Sequence, residues 1–174
     1  DCYPLFEDTS DDECGEDSAG PSEFDSDGDG VLDNYTDYAN SGSMSARVYH
    51  DGAEVAGEGD YILTYVGDEL RGTGLADAVP AFLGNGYAFS FLIYSNQSAG
   101  EDLDFKYYNA ETGMTTGLSV DFDPDGNPDT DNNNTFVADM FLGDVTVEGA
   151  LVFTTDCYPL GGGDGGSDGG GQED

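Results

Sequence analysis

An aspartate ladder of nine residues occurs twice in the chain, as Asp25-Ser26-Asp27-Gly28-Asp29-Gly30-Val31-Leu32-Asp33 and as Asp121-Phe122-Asp123-Pro124-Asp125-Gly126-Asn127-Pro128-Asp129, each spelling D-x-D-x-D-G-x-x-D. Carboxylates at positions 1, 3, 5 and 9 converge on one point when the glycine at position 6 turns the chain sharply, and the backbone carbonyl at position 7 adds an oxygen. The expected ligands are Asp25, Asp27, Asp29, Val31 (through its carbonyl) and Asp33 in one loop, and Asp121, Asp123, Asp125, Asn127 and Asp129 in the other. Hard oxygen donors in that number suit Ca2+ better than zinc or copper. Two matches of this spacing in one chain favour structural Ca2+ sites over the plainer alternative, solvated acidic loops without metal.

The rest of the composition sets the surroundings of those loops. Three basic residues, Arg47, Arg71 and Lys106, stand against 38 acidic ones, a formal charge of -35 on 174 residues. Such a surface repels nucleic acid and anionic membranes and attracts cations. Self-repulsion on this scale opposes compaction unless divalent ions or high salt neutralise it, so a calcium-rich or saline medium is the expected setting. No apolar run is long enough to span a bilayer, and a chain opening at Asp1 without a signal peptide reads as mature or excised. Catalytic chemistry finds no motif: His50 is the single histidine, with no nucleophile pattern around it, and phosphate-loop, dinucleotide and zinc spellings are missing. Carboxylate pairs are so abundant that none is informative. The chain is therefore read as a non-enzyme.

Three segments follow from composition: residues 1–42 form an acidic, extended arm carrying the first ladder, residues 43–160 hold nearly all the aromatic and β-branched side chains, and residues 161–174 are a Gly/Asp-rich tail or linker. Cys2, Cys14 and Cys157 lack zinc-site spacing and are disulfide candidates for an exported protein. Cys2 with Cys14 closes a short loop and leaves Cys157 free or bridged to another chain, whereas Cys2 with Cys157 ties the two ends together. Asp1-Cys2-Tyr3-Pro4-Leu5 returns unchanged as Asp156-Cys157-Tyr158-Pro159-Leu160. A repeat one domain length apart suggests modules in series, or an arm that takes an equivalent place on a neighbouring subunit. Three sequons, at Asn34, Asn96 and Asn133, mark candidate glycosylation sites in expected loops.

The middle segment reads as strands: Met44–His50 before an Asp51-Gly52 turn, Tyr61–Val66, Leu70–Leu75, Tyr87–Tyr94, the alternating stretch from Leu103, Thr115–Phe122, Phe136–Phe141 and Val145–Phe153. About eight short strands without a helical period argue for an all-β fold, an antiparallel β-sandwich of Ig-like or jelly-roll type, with a closed barrel as the runner-up. Arg71 is expected to pair inside the fold with Asp60 or Asp139, and Lys106 to sit on the surface or an edge strand. His50 is expected to face solvent. Tyr61, Tyr65, Tyr87, Tyr94, Tyr107 and Tyr108 fall in strand patterns that favour packing, while Tyr35 and Tyr38 beside the first ladder are better placed for an exposed contact.

Position 12 of each ladder departs from a full EF-hand, since Thr36 and Asn132 replace the bidentate glutamate. Both loops thereby resemble the shorter calcium loops of thrombospondin type 3 and dockerin repeats. A second resemblance lies in the ordered succession Gly59-Asp60-Tyr61, Gly67-Asp68-Glu69-Leu70-Arg71-Gly72, Leu92-Ile93-Tyr94-Ser95-Asn96, Phe105-Lys106-Tyr107-Tyr108-Asn109-Ala110-Glu111-Thr112-Gly113 and Phe136-Val137-Ala138-Asp139 with Leu142-Gly143. Over residues 44 to about 155 this is similar to a β-sandwich repeat module of large secreted and surface-displayed bacterial proteins. The residues from Asp121 to Asn134 stand as an insertion against that pattern. The resemblance implies scaffolding or adhesion rather than catalysis.

The resulting expectation is an extracellular, calcium-stabilised structural subunit. Its arm residues Tyr3, Leu5 and Phe6 would dock on identical subunits or tandem neighbour modules to build a fibre, surface array or adhesin stalk. A carbohydrate-binding module, with glycans as partners, is the alternative.

Overall fold

The computed structural model describes residues 15–17, 20–120, 135–155 and 157–158. Twelve strands are found among them: β1 (Glu16–Asp17), β2 (Asn40–His50), β3 (Ala53–Glu54), β4 (Tyr61–Val66), β5 (Glu69–Ala78), β6 (Tyr87–Ser95), β7 (Ala99–Asp102), β8 (Asp104–Asn109), β9 (Met114–Ser119), β10 (Thr135–Val137), β11 (Phe141–Leu142) and β12 (Leu151–Thr155). Three short 3-10 turns complete the regular structure, and the described residues contain no α-helix. None of their helical turns is long and apolar enough to cross a membrane.

Hairpin chemistry explains the local order. Asp51 and Gly52 both adopt positive φ, 53° and 83°, as do Asn85 and Gly86 at 60° and 74°. At Asp51-Gly52, which joins β2 to β3 directly, such a left-handed pair matches the twist of the flanking strands, whereas Asn85-Gly86 ends the longer connection from β5 and leads into β6. Strand β4 spells Tyr-Ile-Leu-Thr-Tyr-Val, aromatic and β-branched residues that fit a pleated, packed surface.

The all-β expectation holds, and the pairing is continuous rather than divided into two main sheets. Hydrogen-bonded neighbours run β9-β12-β2-β6-β5-β4-β8, and β8 pairs back to β9, so seven strands close into a ring. This is the barrel alternative in its pairing. A separate two-stranded sheet joins β7 and β10. The expectation of antiparallel pairing throughout fails at one place: β11 and β12 both run parallel to β2. The interior holds Met44, Ala46, Val48, Ile62, Phe89, Phe91, Ile93, Phe105, Tyr107 and Phe153, with Phe105 and Phe153 edge to face at 4.9 Å.

Several strand limits move. The expected strand Val145–Phe153 begins only at Leu151, because Asp144 Oδ1 accepts from the Thr146 amide at 2.8 Å and hydroxyl at 2.6 Å and turns the chain first. Phe136–Phe141 is broken by the positive φ of Asp139, 66°, into β10 and β11. Phe122, expected to end a strand, lies outside the described residues.

A second apolar cluster lies outside the ring. Phe24, Tyr61, Leu63 and Tyr108 bury one another there, with Phe24 edge-on to Tyr61 at 5.2 Å and to Tyr108 at 6.1 Å. Strand β4 is thus covered on both faces, Ile62 facing the interior and Tyr61 and Leu63 facing the segment that carries the first aspartate ladder.

Candidate metal centre

The first ladder is held against the barrel wall from both ends. Pro21 to Glu23 make one 3-10 turn, after which Phe24 anchors in the outer cluster and Leu32 is buried at 4% exposure. Thr73 Oγ1 donates to the Gly30 carbonyl at 3.1 Å, fixing the middle of the loop to β5. Gly28 and Gly30 carry the sharp turn with φ of 74° and 82°.

Between those anchors Asp25, Asp27 and Asp29 bring one carboxylate oxygen each to within 4.8 Å of one another. Asp25 is the structural member, 2% exposed. Its Oδ2 accepts from the Tyr61 hydroxyl and from the Gly30 amide, both at 2.7 Å, and its Oδ1 accepts from the Asp29 amide at 3.1 Å. Asp29 Oδ1 in turn accepts from the Val31 amide at 2.8 Å. Burial pushes the Asp25 carboxyl upward, but the Tyr61, Gly30 and Asp29 hydrogen bonds outweigh it and hold the group below its ordinary value. Asp27 moves the other way: the Asp29 amide lowers it, yet desolvation and the neighbouring Asp29 and Asp25 carboxylates together raise it. Tyr61 is raised as well, by burial and then by the bond to Asp25. Three carboxylates that repel one another while backbone amides hold them in place form a set of hard oxygen donors that could hold a metal ion.

Asp33 does not join them. Its two oxygens accept from the Ser26 amide at 3.1 and 3.0 Å, tying the end of the loop to its start. Val31, expected to act through its carbonyl, donates its amide to Asp29 Oδ1. The second ladder, with Asp121, Asp123, Asp125, Asn127 and Asp129, lies outside the described residues, as do Cys2, Cys14, Tyr3, Leu5, Phe6 and Asn133.

The scarce cations are all engaged, Arg71 with partners other than those expected. Arg71 pairs with neither Asp60 nor Asp139. Its Nη1 and Nη2 meet Glu101 at 2.7 and 3.1 Å, its Nε meets Glu69 at 2.9 Å, and its guanidinium lies 5.2 Å from the centre of the Tyr38 ring. Asp60 is taken instead by the Tyr107 hydroxyl and by the Gly57 and Ala110 amides. Arg47 escaped sequence reasoning altogether. It is 0% exposed, bonds Glu54 at 2.9 and 3.1 Å, and donates to the carbonyls of Leu83, Asn85 and Val145. The available signal was a cation on an alternating strand, seven residues before a glutamate across a two-residue turn. Lys106, on β8, lies 5.5 Å from the Tyr65 ring of β4, and β8 is paired on both sides and is no edge. His50 is half-buried rather than solvent-facing, with Nδ1 3.1 Å from Thr155 Oγ1.

Of the two tyrosines expected at the surface, Tyr35 is 46% exposed, whereas Tyr38 is tied to Glu69 at 2.9 Å and stacks near Tyr94 at 6.3 Å. Asn34 is exposed. Asn96 is exposed too, but its side chain bridges the Ala39 amide at 2.9 Å and the Asp37 carbonyl at 3.3 Å. Cys157 is disulfide-bonded, which removes the alternative in which it is free. No protein-family model, curated protein or solved structure matches the chain.

Proposed function

We propose that this chain is an extracellular, non-catalytic structural module in which Ca2+ fixes the acidic N-terminal segment to the barrel. Copies or tandem neighbours then join into a fibre, surface array or adhesin stalk, of the kind built from repeat modules of secreted bacterial proteins. The observation that carries the reading is the convergence of Asp25, Asp27 and Asp29, the first of which is buried and hydrogen-bonded to Tyr61 of the wall. An ion there cancels the mutual repulsion of the three carboxylates, and its binding energy adds to folding of a segment too polar to order itself. The disulfide at Cys157 supports an oxidising compartment.

Closure of the ring constrains how neighbours attach. Strand addition by Tyr3, Leu5 and Phe6 has little to grip on the ring, whose seven strands each have neighbours on both sides. The outer sides of β1 and β3 and the small β7–β10 sheet are the edges that suit it. Electron microscopy of the chain in millimolar calcium and again with chelator tests assembly: filaments that fray on chelation support the reading, and single particles in both conditions sink it. Carbohydrate binding is the second reading, favoured by the exposed Tyr35 ring beside the acidic loop. Saturable binding to a glycan array by a chain that stays monomeric in calcium would move it to the front.

A further inference from the structure

The outer face of the barrel carries an uncharged strip beside the ladder segment. Met44 and Ala46 of β2 and Phe89, Phe91 and Ile93 of β6 fill the interior, so the alternate residues Ser43, Ser90, Leu92 and Tyr94 stand on the outside. Register sets one row across four strands, with Phe141 of β11 beside Ser43, Ser43 beside Leu92, and Leu92 beside Thr73 of β5. The ladder covers the end of that row at Thr73, which is 1% exposed and bonded to the Gly30 carbonyl. It does not reach Leu92 and Phe141, which are 42% and 77% exposed.

Two cavities lie along the strip. One, of about 300 Å3, sits between Leu92 and the ladder, with Gly30, Val31 and Leu32 as its wall. The other, of about 210 Å3, runs from Leu92 to Phe141 and Asp139. Ser43 and Leu92 line both, so the two form one trough. Exposed aromatic rings stand at two of its corners. Phe141 is one, and Tyr35, 46% exposed, is the other, resting on the trough residue Tyr94 with ring centres 5.7 Å apart. The strands β11 and β6 are two spacings apart, ~10 Å.

Between the rings lie the Leu92 side chain and the hydroxyls of Ser43 and Ser90, the second of these held by Ser45 at 3.0 Å. Apolar carbon with hydroxyls interspersed suits a ligand whose rings have an apolar face and a polar edge. Carboxylates at both ends, Asp139 and the ladder, disfavour an anionic one.

We propose that the trough binds a neutral oligosaccharide. One sugar ring lies on Phe141 and another against Tyr35, Leu92 supports the chain between them, and the Ser43 and Ser90 hydroxyls bond its hydroxyl groups. The proposal rests on the carbohydrate reading above and gives it a site, and none of its contacts passes through a metal ion.

Calorimetric titration of the full chain with maltohexaose, cellohexaose, laminarihexaose and chitohexaose tests it. The expected result is saturable binding of at least one, weakened about tenfold by Phe141→Ala and by Leu92→Ala. Phe82→Ala, at a side chain 84% exposed and outside both cavities, should leave that binding unchanged. Binding that Phe141→Ala and Leu92→Ala do not weaken overturns this site while the carbohydrate reading stands. No binding of any of the four overturns the site, and the glycan array then judges the reading separately. Self-association of the intact chain that Phe141→Ala abolishes would also overturn it, by giving the strip to a second copy.

Discussion

Arg47 and Asp25 are both buried charges on the same barrel, at 0% and 2% exposure, yet they are compensated by different means. Around Arg47 the chain supplies everything: a carboxylate from Glu54 and carbonyls from Leu83, Asn85 and Val145, drawn from β3 and two loops. Around Asp25 it supplies more negative charge. Among the described residues no lysine, arginine or histidine pairs with Asp25, Asp27 or Asp29. Backbone amides and the Tyr61 hydroxyl hold the carboxylates in register but leave their net charge standing. A site that carries its own counterion is fixed by the chain alone, while a site that lacks one depends on the solution.

The contrast breaks most visibly at Arg47. Replacing it with Ala strands Glu54 and three carbonyls, and a loss of about 3–5 kcal/mol is expected. Urea unfolding should give that loss equally with calcium and with chelator. A loss that changed with calcium would erase the distinction between the two regions. Asp25→Asn should act in the opposite sense, with a modest cost in chelator and loss of the calcium-dependent gain, about 3 kcal/mol when the ion is present at a hundredfold excess over Kd.

Within the loop the geometry orders the effects. Asp27→Asn removes a converging carboxylate and should weaken calcium binding about tenfold. Asp33→Asn, whose oxygens are occupied by the Ser26 amide, should change affinity by less than about threefold. Calorimetric titration of the two variants compares them directly, and equal losses would put Asp33 among the ligands after all.

The smallest effect is in acid. Glu101 is held below its ordinary 4.5, first by its hydrogen bonds to Arg71, and Glu69 likewise. A depressed carboxyl contributes stability above its unfolded value and loses it as pH falls through the folded one. Denaturant midpoints in chelator should therefore drop below pH 4.5, and Glu101→Gln should flatten that drop. Asp27 is raised above its ordinary 3.8, so its stabilising contribution is present below that value and lost as pH rises through the folded one. Calcium affinity should fall as Asp27 takes up a proton.

What could be read from the residues alone follows the same division. Tyr61–Val66 is a strand to the residue, and the Asp51-Gly52 turn stands where the spelling put it, because strand and turn preferences act over a few neighbours. The convergence of Asp25, Asp27 and Asp29 was legible for the same reason, the glycine at position 6 being local. Ring closure by β8 on β9 and the parallel course of β12 beside β2 were not, since pairing order depends on contacts far apart in sequence. Nor were the Arg71–Glu101 pair, thirty residues apart, and the loop carbonyls that meet Arg47. Asp33 is the member of the motif that stands apart from the converging three, its oxygens meeting the Ser26 amide.

The most direct test of the account is calorimetric titration of Ca2+ into the metal-free chain beside an Asp25→Asn/Asp27→Asn variant, with Tm followed at each point. The account predicts that the intact chain binds one more equivalent than the variant and that binding of this equivalent raises Tm. Equal stoichiometry and equal Tm gain in the two proteins would contradict it, leaving the loop an acidic turn held by its own amides.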